Sequence, residues 1–114
     1  MIDLIADLKE LNIPAYIEGD APSDLPDEYF TVLEDYTSDN LNADNETKEI
    51  LWEFTLKWYT KNDDNIFNGL LEAIKLLKKK NYIVSGVGYN NSTYQNTWKS
   101  RAVDVSKIEN ISEE

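Results

Sequence analysis

Acid–base or metal chemistry in this chain would have to rest on carboxylates. There are 22 Asp/Glu against 11 Lys/Arg, with no histidine and no cysteine. Without imidazole or thiolate there is no serine–histidine or cysteine–histidine nucleophile, no zinc site of the usual kinds and no disulfide. Two carboxylate groupings have spacings to weigh. Asp35, Thr37, Asp39 and Glu46 fall on positions one, three, five and twelve of a calcium-binding loop. The sixth position, where that loop turns sharply on a glycine, is Asn40, and the flanks read as strands where an EF-hand has helices. An acidic surface loop is the expectation. Asp63-Asp64 forms a carboxylate pair, but nothing nearby would raise the pKa of one member, and a helix N-cap accounts for both. Gly86-Val87-Gly88-Tyr89 begins like a dinucleotide-binding turn, yet lacks the third glycine and a following helix. No catalytic, cofactor-binding or metal-binding residue is assigned, and no enzymatic activity is expected.

The elements that would carry any site follow from hydrophobic period. Ile50, Trp52, Phe54, Leu56 and Trp58 share one parity, while Glu53, Thr55 and Lys57 hold the other with Leu51 and Tyr59. This is a strand over 50–60 with one buried face. Ile66, Phe67, Leu70, Leu71, Ala73, Ile74 and Leu77 form a broad helical stripe, predicting a long helix over about 63–80. Gly69 either weakens that helix by about 1 kcal/mol against alanine or allows a close backbone approach. Lys75, Lys78, Lys79 and Lys80 sit near its end, where positive charge suits the dipole. Leu4, Ile5, Leu8 and Leu11 predict a short N-terminal helix, ended by Asn12 and Pro14.

Short strands are expected over 14–19 and 29–34, and further ones over 82–89 and 97–105. The segment 20–27, with two prolines and three aspartates, reads as a loop. The polar stretch 37–48 reads as a mobile excursion, and 106–114 as a frayed tail. Tyr89, Tyr94 and Trp98 flank the connection over 90–96. Tyr89 and Trp98 are expected to pair across the hairpin, leaving Tyr94 as a candidate partner anchor. The sum is one α+β domain over 1–114. A mixed sheet of four or five strands is packed by the long helix and the short N-terminal one, with a right-handed crossover if the strands flanking the long helix are parallel.

Charge is unevenly divided. Residues 1–49 carry 14 carboxylates against 2 lysines, and residues 50–114 carry 8 against 9 Lys/Arg, for a net of −11 overall. Such an excess argues against binding nucleic acid through its phosphates. It suits a solubilising surface, or a wall along which DNA passes without sticking. No run of about 18 apolar residues is present to span a membrane. The first residues, Met1-Ile2-Asp3-Leu4-Ile5-Ala6-Asp7, lack the basic start of a signal peptide, so cytoplasmic synthesis is expected.

The order of these segments resembles the small tail-terminator, or tail-completion, proteins of long-tailed bacteriophages and prophages. The resemblance lies in the N-terminal helix followed by Ile13-Pro14-Ala15-Tyr16, and in Pro26-Asp27-Glu28-Tyr29-Phe30-Thr31-Val32 leading to a polar loop. It continues through the aromatic strand, the helix over 63–80, and Gly88-Tyr89-Asn90-Asn91-Ser92-Thr93-Tyr94 with Trp98-Lys99-Ser100-Arg101-Ala102-Val103-Asp104-Val105. What the resemblance implies is a virion structural protein, assembled in the host cytoplasm, that forms a ring, typically of six subunits. Such a ring caps the tail tube and joins it to the head, contacting the tube protein and a head-completion or connector protein. DNA would pass through its lumen. Ring contacts are then expected in 37–48 and 90–96, with Tyr36, Asp39, Asp44, Asn91 and Tyr94 as contact residues. The competing expectation is an acidic binding module, of the immunity or inhibitor kind, that mimics nucleic acid toward a basic partner.

Overall fold

What covers the Trp52–Trp58 strand face is visible in the computed structural model, which describes residues 3–41, 48–90 and 99–110. Six strand segments are present among the described residues: β1 (Ala15–Ile17), β2 (Glu28–Leu41), β3 (Lys48–Thr60), β4 (Ile83–Val84), β5 (Tyr89–Asn90) and β6 (Lys99–Asn110). They form one mixed sheet in the order β1-β2-β3-β6-β4, with β5 following β4 along the same edge of β6. β1 and β2 pair in parallel, and the other pairings among the described residues are antiparallel. β3 and β4, which flank the main helix, run in the same direction with β6 inserted between them. The class is α+β, as the periodicities predict.

One face of this sheet is dry. Phe30, Val32, Phe54, Leu56, Trp58, Val103 and Val105 point to it, and Leu70, Ala73, Ile74 and Leu77 of α2 (Asn68–Lys79) close over them. Leu4 and Leu8, from α1 (Leu4–Asp7) and the 3₁₀ turn Leu8–Leu11 that follows it, complete the layer. Asp3 caps α1 by accepting a hydrogen bond from the Ala6 N–H, and Asn12 ends the turn in the left-handed region. The expected N-terminal helix is thus half α and half 3₁₀.

The main helix is shorter than its apolar stripe suggests, at 12 residues. Residues Asp63–Asn65 form a separate 3₁₀ turn. The reason is the Asn65 carbonyl, which a continuous α-helix would turn toward the Gly69 amide. It accepts the Trp58 indole N–H instead, at 3.0 Å. Asn65 is held from its other side as well. Its side-chain amide donates to Glu28 Oε2, which also accepts from the Thr60 hydroxyl. The C-terminus of α2 closes as a Schellman motif: Asn81 takes φ 72°, Tyr82 N–H bonds the Leu77 carbonyl, and Asn81 N–H bonds that of Lys78.

Two expectations about disorder are corrected. The stretch 37–48 is not a loop over its full length, because β2 runs to Leu41 and β3 starts at Lys48. The ladder continues from Tyr36↔Glu53 to Leu41↔Lys48. Backbone groups make those bonds, so the polar composition that argued for a loop does not oppose them. Only 42–47 remains between the strands, outside the described residues. Likewise, 106–110 is not frayed tail but the end of β6, paired with β3 as far as Asn110↔Glu49. β2 carries a bulge at Asp35: Glu34 pairs with Phe54 and Tyr36 with Glu53, leaving one residue extra. The three long strands draw the molecule out to 54 × 27 × 24 Å.

Tyr82 ties the layers together, and it gives the fold a pH dependence. It is buried, and its hydroxyl donates to Asp7 Oδ2 at 2.6 Å. Burial and that carboxylate raise its pKa far above the usual phenol value. Tyr29, buried on the other face of the sheet between Tyr16 and Tyr59, is raised by burial first and then by those two rings. Lys57 is raised by its bond to Glu18 at 2.7 Å. All three groups hold their protons more tightly folded than unfolded. Their contribution is full below the unfolded values near 10 and is lost as pH rises from there through the raised folded values. Stability measured by urea titration is therefore expected to be flat from neutrality to about pH 9.5 and to fall beyond it. Tyr82→Phe should lower neutral-pH stability by about 1 kcal/mol and flatten the alkaline fall. An unchanged alkaline limb in that variant would remove Tyr82 from the account.

Candidate functional site

The face of the sheet away from the helices takes the opposite residue parity, and among the described residues no helix covers it. Tyr16, Tyr29 and Tyr59 line up across β1, β2 and β3, with ring centroids 5.9 and 4.9 Å apart. The next row holds Lys57 and its partner Glu18. Farther along, Thr55 sits between two carboxylates: its hydroxyl lies 2.5 Å from Asp35 Oδ2 and 3.4 Å from Asp104 Oδ1. A single hydroxyl proton serves one of them at a time, and the shorter contact is the bond to Asp35. Glu53 follows on β3, then Leu51, with Ile108 on β6 opposite it. Leu33, Asp35, Asp104 and Ile108 are exposed. This face thus mixes acids with scattered aliphatic side chains over its distal half.

The outer edges of the distal strands form a second feature. β1 pairs with β2 only at Phe30, Thr31 and Val32. Among the described residues, no strand lies beside β2 on that side over 35–41. On the far side, β4 pairs with Val105 and Ser106 and β5 with Arg101 and Ala102, so no described strand flanks Lys107 and Ile108 there. Backbone edges of this length are templates for pairing with another chain unless they are protected.

A third feature is a groove of about 440 Å³ beside α1. Leu4, Ile5, Ile17, Val32 and Phe54 line it, and Asp3 and Glu34 stand at its rim. Ile17 is exposed there, while Phe54 at its floor is buried.

The residues singled out in the sequence do not converge. Tyr36 and Asp39 lie on β2, in register with Glu53 and Ile50, rather than in a loop. Asp44, Asn91 and Tyr94 lie outside the described residues, as does Glu46. Of the calcium-loop positions, Asp35, Thr37 and Asp39 belong to one strand. Among the described residues, no group of three or more carboxylates is gathered closely enough to hold a metal ion. Asp63-Asp64 occupies the 3₁₀ turn, where Asn62 Oδ1 accepts from the Asp64 N–H. The capping residue is therefore Asn62. Gly86 and Gly88 have positive φ, and the Val87 and Gly88 carbonyls accept from the Arg101 guanidinium. The double glycine is a structural clasp between β5 and β6, with Arg101 also lying 5.1 Å over the Phe67 ring.

The open-face acids were within reach of the sequence, since Glu53 and Thr55 already shared the solvent parity. The meeting of Thr55 with Asp35 and Asp104 needed strand order. No helix of the described residues is long and apolar enough to cross a membrane. Compared with known proteins, no family model matches the chain and no curated protein matches it.

Proposed function

We propose that this chain is a structural subunit of the tail-terminator type. Copies close into a ring that caps a tail tube and presents a surface for joining the head. The six-fold size comes from the sequence resemblance alone. The observation that carries the reading is the distal sheet, where strands of 14, 13 and 12 residues run well past the short β1, β4 and β5 segments. A monomer of 114 residues gains little from so long a blade, because its far end lies beyond the helical layer. A subunit gains two edges and a face to set against neighbours. The charge division supports the same reading: carboxylates lining a lumen would repel phosphates and let DNA slide past.

Electron microscopy of the purified protein, with light scattering over a range of concentrations and with tail tubes added, tests this directly. Closed rings or capped tube ends are the expected result. A monomer that ignores tube ends and captures a basic protein would replace this reading with the acidic inhibitor.

A further inference from the structure

Resting on the ring reading, we infer that the open sheet face of one copy is covered by the lysine-rich side of α2 from the next. The solvent side of α2 carries Lys75, Lys78 and Lys79, all exposed, around the single exposed acid Glu72 and beside the half-exposed Leu71. Lys78 and Lys79 lie in the last turn and suit the helix dipole; Lys75 lies outside it and is not explained that way. The distal open face offers the complement: Asp35, Asp104 and Glu53 for the ammonium groups, and Leu33 and Ile108 for aliphatic contact. Leu33 is 38 % exposed and Ile108 48 %, both on the open face beside the unflanked strand edges.

Charge selects a second copy as the occupant. With a net of −11, two copies meeting at random repel each other. Attraction requires a register that brings the few clustered cations of one onto the carboxylates of the other. Geometry then selects the symmetry. The lysines lie on the helical layer and the carboxylates on the opposite side of the sheet, so one two-fold contact cannot bury both patches. The contact is heterologous, front to back, and each copy uses both of its patches once the ring closes. Isolated surface ion pairs contribute little. The contact therefore depends on several pairs acting together around the aliphatic residues, and it weakens as salt screens them.

The experiment is a charge swap read by sedimentation velocity at low and high salt. Lys75→Glu with Lys78→Glu reverses the helix patch, and Glu53→Lys with Asp104→Lys reverses the face. Circular dichroism and thermal melts establish that each variant is folded. Wild-type protein is expected to assemble, less so at high salt. Each reversed variant should need at least tenfold higher concentration, and the chain carrying all four changes should regain wild-type assembly. Assembly that is indifferent to either reversal, or not regained in the fourfold variant, overturns the inference while leaving the ring reading standing. Wild-type protein that stays monomeric at every concentration and salt overturns both.

Discussion

Gly88→Ala is expected to lower the stability of the folded chain by about 3 kcal/mol, from left-handed strain and overpacking together. Gly88 has φ +85°, a region that L side chains seldom enter. A Cβ there would lie 2.6 Å from the Ala102 carbonyl oxygen and 2.9 Å from a Leu70 methyl. The first neighbour is backbone of a central strand, which cannot swing aside as a flexible side chain does. The change would also move the Gly88 carbonyl off the Arg101 guanidinium, loosening the β5–β6 clasp. Urea denaturation checks the magnitude. A loss below about 1 kcal/mol would mean that the β4–β5 edge yields to the added methyl and is no fixed part of the fold.

Gly69→Ala is the second large effect, and its sign is opposite to what helix propensity dictates. On an exposed helix the change would stabilise by about 1 kcal/mol. Here an added Cβ falls 2.3 Å from two carbons of the Trp58 indole. That ring is fully buried, tilted against Phe30 at 4.9 Å, and pinned through its N–H to Asn65. It has nowhere to retreat, so overpacking of roughly 3 kcal/mol exceeds the propensity gain and leaves a net loss of about 2 kcal/mol. A double-mutant cycle with Trp58→Phe isolates the cause. If the smaller ring makes room, alanine at 69 should cost much less in that background. Equal cost in both backgrounds would place the strain elsewhere.

Those two glycines also mark where reading the chain stopped. The strand over 50–60 and its buried parity were legible because five apolar residues alternate with polar ones and nothing interrupts them. The α2 stripe was legible for the same reason, but its start was not. A tertiary bond, Trp58 to the Asn65 carbonyl, breaks the helix where Asp63 and Asp64 looked like ordinary caps. The far ends of β2 and β6 were illegible for a different reason. Residues 37–41 and 106–110 are mostly polar and alternate weakly, so their strand state comes from the backbone ladder with β3 rather than from any pattern of their own. The candidate surface inherits that limit. Glu53 and Thr55 were visible as outward-facing, whereas the meeting of Thr55 with Asp35 across β2 and with Asp104 across β6 is a product of strand order. The Schellman close at Asn81 was missed because an asparagine carries a weaker stop signal than the glycine usually found there.

The bulge at Asp35 acts as a phase change in the alternation of β2. Upstream of it Phe30 and Val32 face the core, and downstream the numbering of each row is offset by one. Excising that single amino acid would leave Glu34↔Phe54 followed directly by Tyr36↔Glu53, a regular ladder with neither half displaced, at the loss of the Thr55–Asp35 bond and of the local twist. A one-codon deletion at 35 is therefore expected to keep Phe30 and Val32 on the core side and to cost little beyond the Thr55–Asp35 contact.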